Sequence, residues 1–400
     1  MSNRNSNIRL LYIVTSPITL RSKLVDQIEF MACRGFDVSV IVGLATESDF
    51  FDSSEIANVY QIDIRREISV LRDLAALIHC MVLVWRIDPQ IVNASTPKAG
   101  LIGMMAAWLN RVPIRVHTLR GLRHETLAGP KALVVKTMER ITSFCATRVL
   151  SVSQSLQDVY VEAGLCPSSK VVVLGPGSSN GVDSERFDPG IRRSMLNAKV
   201  RFELGIPQDS PVVGFLGRFT KDKGFEELSA AIERVQETIP ECHLLLIGEF
   251  EPGDPVPMAC RKKLEANKHV HFVPFVQDPS EYFAVIDVLA FPSYREGMPV
   301  VPLEAAAAGV PTVAFAATGS VDAVKDGLTG TIVPMHDIAR LTDALTNYLQ
   351  NEDLRMRHGR NAKAWVRKSF KPETVWRGIA DEYAQLLNEK GLEPPTPPNL

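Results

Sequence analysis

A rhythm that runs through the chain twice constrains its fold more than any other feature. Short apolar runs alternate with longer segments of helical period, stop at a stretch rich in glycine, serine and asparagine, and then begin again. In the first half, residues 8–15, 36–43, 59–64, 89–95, 113–119, 148–153 and 170–175 read as strands, and 20–33, 69–86, 98–110, 131–145 and 154–164 as helices. The stretch GPGSSNGVDSERFDP (175–189) reads as a linker. After it, 212–217, 243–248, 270–275, 288–293, 311–316 and 330–334 are strands, with helices near 224–238, 257–266, 279–284, 299–308, 319–325 and 337–350. Strands that alternate with helices imply parallel, doubly wound sheets. The expectation is therefore an α/β protein of two Rossmann-like domains facing a cleft, residues 1–186 and 187–370, with ligands bound beyond the carboxyl ends of the strands.

Length supports that division, since 400 residues exceed what one hydrophobic core usually organises. Residues 371–390 place Val375, Ile379, Tyr383 and Leu386 at helical spacing, which reads as a docking helix, and the proline-rich tail 391–400 reads as disordered. The composition is 46% apolar and 22% charged, ordinary for a soluble globular chain. A net charge of −2 carries no nucleic-acid signature, and six scattered cysteines form neither a disulfide framework nor a zinc site. The polar start runs straight into a strand, without a signal peptide. The most apolar stretch, 76–85, is too short to span a bilayer. The expected location is the cytoplasm, either free or attached to the inner face of the cell membrane. Between Lys98 and Arg148 lie nine basic residues against two acids, a block that reads as a solvated face or as a surface for phosphates or anionic lipid.

Two loops of the second half carry the chemistry. VVGFLGRFTKDKGFEEL (212–228) is a strand, a tight turn at Gly217, a basic loop and a helix opened by Gly224. Amides at a helix start bind anions, and Arg218 and Lys223 add charge at both ends of the loop. The spacing is neither a Walker A motif nor a GxGxxG fingerprint, and by itself the loop could be a solvated basic turn. In SYREGMPVVPLEAAAAGVP (293–311), Pro299 suits a first helical turn, Gly309 a C-cap and Pro311 a stop. That leaves Glu296 in the preceding loop and Glu304 in the first turns. The two acids either complement the helix dipole or accept hydrogen bonds from sugar hydroxyls, a ribose at Glu304 and a hexose at Glu296. The amides of Gly297 and Met298 would face the sugar or its phosphates.

GRFTKDKG together with EGMPVVPLE resembles the retaining, family-four glycosyltransferases of the GT-B fold. The likeness extends to GSSNGVDSERF (177–187), PIRVHTLRGLRHE and DVLAFPS, and covers most of residues 8–385. It implies transfer of a sugar from a nucleotide diphosphate donor with retained anomeric configuration, with no cofactor and no metal ion. Carried over by position, Arg218 and Lys223 hold the donor diphosphate, Glu304 the ribose and Glu296 the donor sugar, while the base lies near Phe275 and Val276. The resemblance also implies a C-terminal helix that crosses back onto the first domain. Where many relatives carry histidine before glycine, this chain has Arg120–Gly121, so Arg120 could touch donor phosphates or sugar. His117 is nearby on a strand, where a histidine is more often structural. Lys98, at a helix start in the first domain, is a candidate for the acceptor. So are Arg21 and Lys23, in a loop that replaces the family's glycine-rich turn and whose basic residues could equally be surface charge.

The chain looks most like bacterial enzymes that build capsule, O-antigen or exopolysaccharide repeats on polyprenyl diphosphate. The expected partners are a nucleotide diphosphate sugar, with UDP and a hexose or N-acetylhexosamine, a lipid-linked saccharide acceptor and an anionic membrane surface. The segment 131–144 is a basic amphipathic helix that suits packing or such a surface. A sugar-nucleotide epimerase of the same fold and a binding partner without turnover are the alternatives.

Overall fold

A computed structural model describes residues 8–17, 20, 24–44, 57–64, 69–127, 129–251 and 253–396. Arg21 and Lys23 lie outside them. The chain divides into two compact units, one of residues 1–180 with 372–400 and the other of Gly181–Lys371.

The first unit is built on a seven-stranded sheet ordered β3-β2-β1-β4-β5-β6-β7, every strand parallel to its neighbours. The strands are β1 (Arg9–Val14), β2 (Asp37–Gly43), β3 (Asn58–Ile62), β4 (Ile91–Ser95), β5 (Ile114–Leu119), β6 (Arg148–Ser151) and β7 (Val171–Val173). Its connections include α1 (Val25–Cys33), α2 (Val70–Ile87), α3 (Pro97–Leu109), α4 (Gly129–Cys145) and α5 (Gln154–Glu162). Strands such as β4 are buried along their whole length, which is why they read as unbroken apolar runs and not as alternations. Gly100 and Gly103 let α3 lie close on this sheet: a Cβ at Gly100 would stand 2.6 Å from the His117 ring and one at Gly103 2.9 Å from Ile13.

The second unit has a six-stranded parallel sheet ordered β10-β9-β8-β11-β12-β13. In chain order it comprises α6 (Ser184–Phe187), α7 (Arg193–Leu204), β8 (Val212–Leu216), α8 (Phe225–Thr238), β9 (His243–Ile247), α9 (Met258–Ala266), β10 (Val270–Val273) and β11 (Val288–Phe291). There follow α10 (Val300–Ala307), β12 (Thr312–Phe315), α11 (Ser320–Ala323), β13 (Gly330–Val333), α12 (Ile338–Gln350) and α13 (Glu352–Ser369). Both units are the doubly wound, Rossmann-like type that the alternating rhythm implies.

The final helix, α14 (Pro372–Glu389), belongs to the first unit. Val375, Ile379, Tyr383 and Leu386 are buried in its core beside α1, and Asn93 Nδ2 donates to Tyr383 Oη over 2.6 Å.

Three details differ from the sequence reading. The division falls after Asn180 and not after 186, because Val182 and Phe187 enter the second core and Val182 N donates to Phe370 O at 2.7 Å. The tail is packed as far as it is described: Leu392 lies against the first core, and the Thr396 backbone lies over Gly35. Helices α7 and α13 were not expected. In α13 only His358, Gly359, Ala362 and Val366 are buried, too narrow a stripe to show through its charges.

Candidate functional site

The carboxyl ends of β8, β9, β11 and β12 bring four loops of the second unit together. Glycine makes their approach possible. A Cβ at Gly248 would stand 1.9 Å from Gly217 O, one at Gly224 2.1 Å from Pro292 O, and one at Gly319 2.3 Å from Gly297 O. Gly224 (φ +68°) and Gly319 (φ +76°) also hold left-handed backbone that a side chain would strain.

Hydrogen bonds lace the basic loop to the glutamate loop. Tyr294 N donates to Asp222 O at 3.0 Å, and Arg295 Nη2 reaches Asp222 Oδ2 at 3.2 Å. Thr220 Oγ1 donates to Asp222 Oδ1 at 2.6 Å, and Asp254 Oδ2 accepts from Asp222 N at 3.0 Å. Lys223 sits on a single 3₁₀ turn just before α8, where its ammonium pairs with Glu296 Oε1. Ser293 Oγ donates to the same carboxylate oxygen at 2.8 Å, while Glu296 N donates to Thr318 O at 2.9 Å. Lys223 and Glu296 are both largely buried, so the pair has little water to screen it. Arg218 is more exposed and pairs with Glu251. Exposed pairs of this kind are worth roughly 0–1 kcal/mol, so a diphosphate could take the guanidinium from Glu251 at small cost.

Glu304 is half-buried on α10, which opens after Pro299 and ends at Gly309 in left-handed conformation. The Met298 side chain packs against the second core, which leaves its loop only a backbone amide to offer. Phe275 is 72% exposed, whereas neighbouring Val276 packs inward. Arg218, Lys223, Glu296 and Gly297 thus occupy loops at the carboxyl edge of one sheet, and Glu304 stands in the second turn of α10. Sequence reasoning missed Asp222, Ser293, Glu251 and Thr318. Ser293 alone carried a signal, as the last residue of an apolar strand motif.

A second brace holds the glutamate loop from behind. Tyr294 Oη donates to the buried Glu227 carboxylate, 2.7 Å from each oxygen, and His336 Nδ1 lies 2.8 Å from Glu227 Oε1. Burial, followed by the Glu227 carboxylate, pushes the Tyr294 hydroxyl far above its ordinary pKa and keeps it a donor.

The candidates in the first unit fare differently. His117 is buried on β5, with Nδ1 donating to Ala94 O at 3.0 Å, and burial lowers its pKa to about 4. That is a neutral histidine satisfied within the sheet. Lys98 is buried too, in an ion pair of 2.6 Å with Asp73 of α2. Arg120, just beyond β5, donates to Ser179 Oγ at 2.5 Å, and its Nε has no partner among the described residues. Burial lowers its pKa to about 10, which leaves it cationic at neutral pH, and it faces a small polar recess shared with Tyr12, Asn93 and Thr118. Of these three, Arg120 is the one whose side chain retains an unused donor.

The family model for glycosyl transferases group 1 matches residues 197–365, and that for a glycosyl transferase 4-like domain matches 24–177. The capsular polysaccharide biosynthesis glycosyltransferase CapM of Staphylococcus aureus is 34% identical over 96% of this chain and 99% of its own length. A UDP-Gal:alpha-D-GlcNAc-diphosphoundecaprenol alpha-1,3-galactosyltransferase of Escherichia coli is 25% identical over 98% of this chain and its full length. Among solved structures, Anabaena HepE in complex with UDP-glucose superposes with a TM-score of 0.78 at 21% identity, covering 95% of this chain and 100% of its own. Sucrose-phosphate synthase from Thermosynechococcus elongatus gives 0.79 at 20%, covering 96% and 100%.

Proposed function

The chain belongs to the glycosyl transferases of group 1, with the GT-B fold, and from that premise we propose that it moves a hexose or N-acetylhexosamine from a UDP-sugar to a lipid-diphosphate-linked saccharide, with retention, in capsule or related polysaccharide synthesis. The observation that carries this reading is the loop constellation of the second unit, where Lys223, Glu296 and Ser293 form one hydrogen-bonded group at the carboxyl edge of a parallel sheet. The name of the Escherichia coli relative supports the choice of acceptor and of UDP, and that of the Staphylococcus aureus relative supports capsule synthesis.

In this reading Arg218, Lys223 and the first amides of α8 receive the donor diphosphate. As the bond from the anomeric carbon to the phosphate oxygen breaks, negative charge gathers on the leaving group, and fixed cations lower the barrier by meeting it. The acceptor oxygen forms the new bond on the face the phosphate leaves, and its proton passes to the departing phosphate. Glu296 orients the donor sugar and Glu304 binds the ribose diol. Phe275 and Val276 flank the base, and the amides of Gly297 and Met298 contact sugar or phosphate. Lys98 and His117 are held in structural contacts and take no part in this mechanism.

Nucleotide release from a panel of UDP-sugars tests the assignment, with GlcNAc-diphospholipid as acceptor. Lys223→Ala and Arg218→Ala should each cut release by about 100-fold or more while melting as the wild type does. Near-normal release in both variants would remove the phosphate role of this loop, and an epimerised donor without transfer would replace the reaction.

A further inference from the structure

Helix α2 is apolar on the side it buries and on the side it shows. Ala76, Cys80, Leu83 and Val84 turn inward, while Leu71, Leu74, Ile78, Val82 and Trp85, spaced three or four apart, form an exposed stripe. The exposure is large, 82% at Leu71 and 71% at Trp85. Helix α3 packs beside α2, and α4 beside α3. The apolar surface continues across them: α3 exposes Trp108 and Leu109, and α4 exposes Leu133, Val134, Ile141 and Phe144. The Trp108 and Phe144 rings meet at 6.1 Å, which joins the exposed apolar surfaces of α3 and α4. Contiguous apolar surface on this scale marks a docking site, and right-handed crossovers place all three helices on one face of the first sheet.

The charge around this layer says what docks. Arg72, Arg86, Arg111, Lys131 and Arg140 are exposed on or beside the same helices. Of the nearby acids, Asp73 pairs with Lys98, Asp88 with Arg9 and Glu139 with His124, while Glu125 is exposed ahead of α4, against five basic residues. A second copy of the chain laid on this face would set arginine against arginine. A bilayer with anionic headgroups matches both properties, since acyl chains accept the leucines while phosphates meet the basic residues. Trp85–Arg86 and Trp108 near Arg111 have the amphipathic character of the bilayer interface. Among the described residues no helix is long and apolar enough to cross a membrane. Contact along the surface is the remaining geometry.

We propose that the outer face of α2, α3 and α4 lies on an anionic membrane, with the stripe of α2 inserted among the lipid headgroups. The inference deepens the reading above and rests on it for the reason a membrane is needed, a lipid-linked acceptor. The surface itself is independent of the donor loops.

Flotation with phosphatidylcholine vesicles, with and without 30 mol% phosphatidylglycerol as a chosen probe composition (about one lipid in three, enough for a negative surface potential), tests it. Wild-type protein should float with the anionic vesicles and remain behind with neutral ones. Leu74→Glu with Ile78→Glu should reduce binding about tenfold or more, without changing the melting temperature or transfer to a short-chain, water-soluble acceptor. Protein that ignores anionic vesicles, or a double variant that binds as well as the wild type, overturns the proposal. So does light scattering that shows a wild-type dimer made monomeric by the double variant, since a second copy would then cover the face. Binding to vesicles without any sugar transfer would sink the transferase reading and leave this surface standing.

Discussion

At the scale of single residues, Lys223 and Glu296 change what their separate motifs suggest. Read along the chain, one is a phosphate ligand and the other a sugar ligand; in the fold they are each other's partners. Glu296→Gln therefore frees the Lys223 ammonium, so nucleotide diphosphate should bind as tightly as to wild type or more tightly, while turnover falls through lost sugar orientation. Glu304→Gln should act in the opposite sense, weakening UDP and UDP-sugar alike by roughly 1.5–3 kcal/mol, the worth of a charged hydrogen bond to a diol. Calorimetry with UDP, followed by turnover, separates them, and equal affinities with normal turnover would reduce both acids to dipole complements. His117 makes a different prediction. Its folded pKa, about 4, lies below the unfolded value near 6.5, so its contribution is complete above pH 6.5 and is lost as pH falls toward 4. Relative to His117→Gln, the wild type should lose stability of the order of 3 kcal/mol over that window. Buried Glu139, raised to about 7, slopes the other way in both proteins and cancels in the comparison. A difference in melting temperature that stays constant from pH 7 to pH 4.5 would show that His117 is not held neutral.

At the scale of elements, the site depends on loops that only glycine lets approach. Gly319→Ala must push the Glu296–Gly297 backbone away, because its Cβ would meet Gly297 O at 2.3 Å. A displacement near 1 Å costs on the order of 100-fold in turnover, whereas left-handed strain costs only about 1–2 kcal/mol of stability. Wild-type turnover in a stably folded Gly319→Ala protein would deny that this backbone positions Glu296. The elements that were legible in the sequence were those whose pattern is local. The strands announced themselves as buried apolar runs, and α10 by its prolines and Gly309. Helix α13 hid because its buried stripe is narrow, and Asp222 and Ser293 hid because they join loops about 70 positions apart, while Thr318 meets the glutamate loop only through its backbone carbonyl. The exposed stripe of α2 was invisible for a further reason. A helix that is apolar all round reads as buried all round, so the pattern does not show that one side stays exposed.

At the scale of the whole molecule, two parallel-sheet units and a returning helix make a GT-B transferase, to which our proposals assign donor chemistry in the second unit and a membrane contact in the first. In the proposed mechanism fixed cations supply the charge that the leaving diphosphate needs, so transfer should persist in excess EDTA. The most direct test of the central claim is the product itself. Protein, EDTA, an α-linked UDP-sugar from the donor panel and a GlcNAc-diphospholipid are incubated together, and the new glycosidic linkage is assigned by NMR while UDP release is followed. The account predicts UDP release that depends on acceptor and an α-linked product. A β-linked product, UDP release without acceptor, or binding of the donor with no bond formed would contradict it.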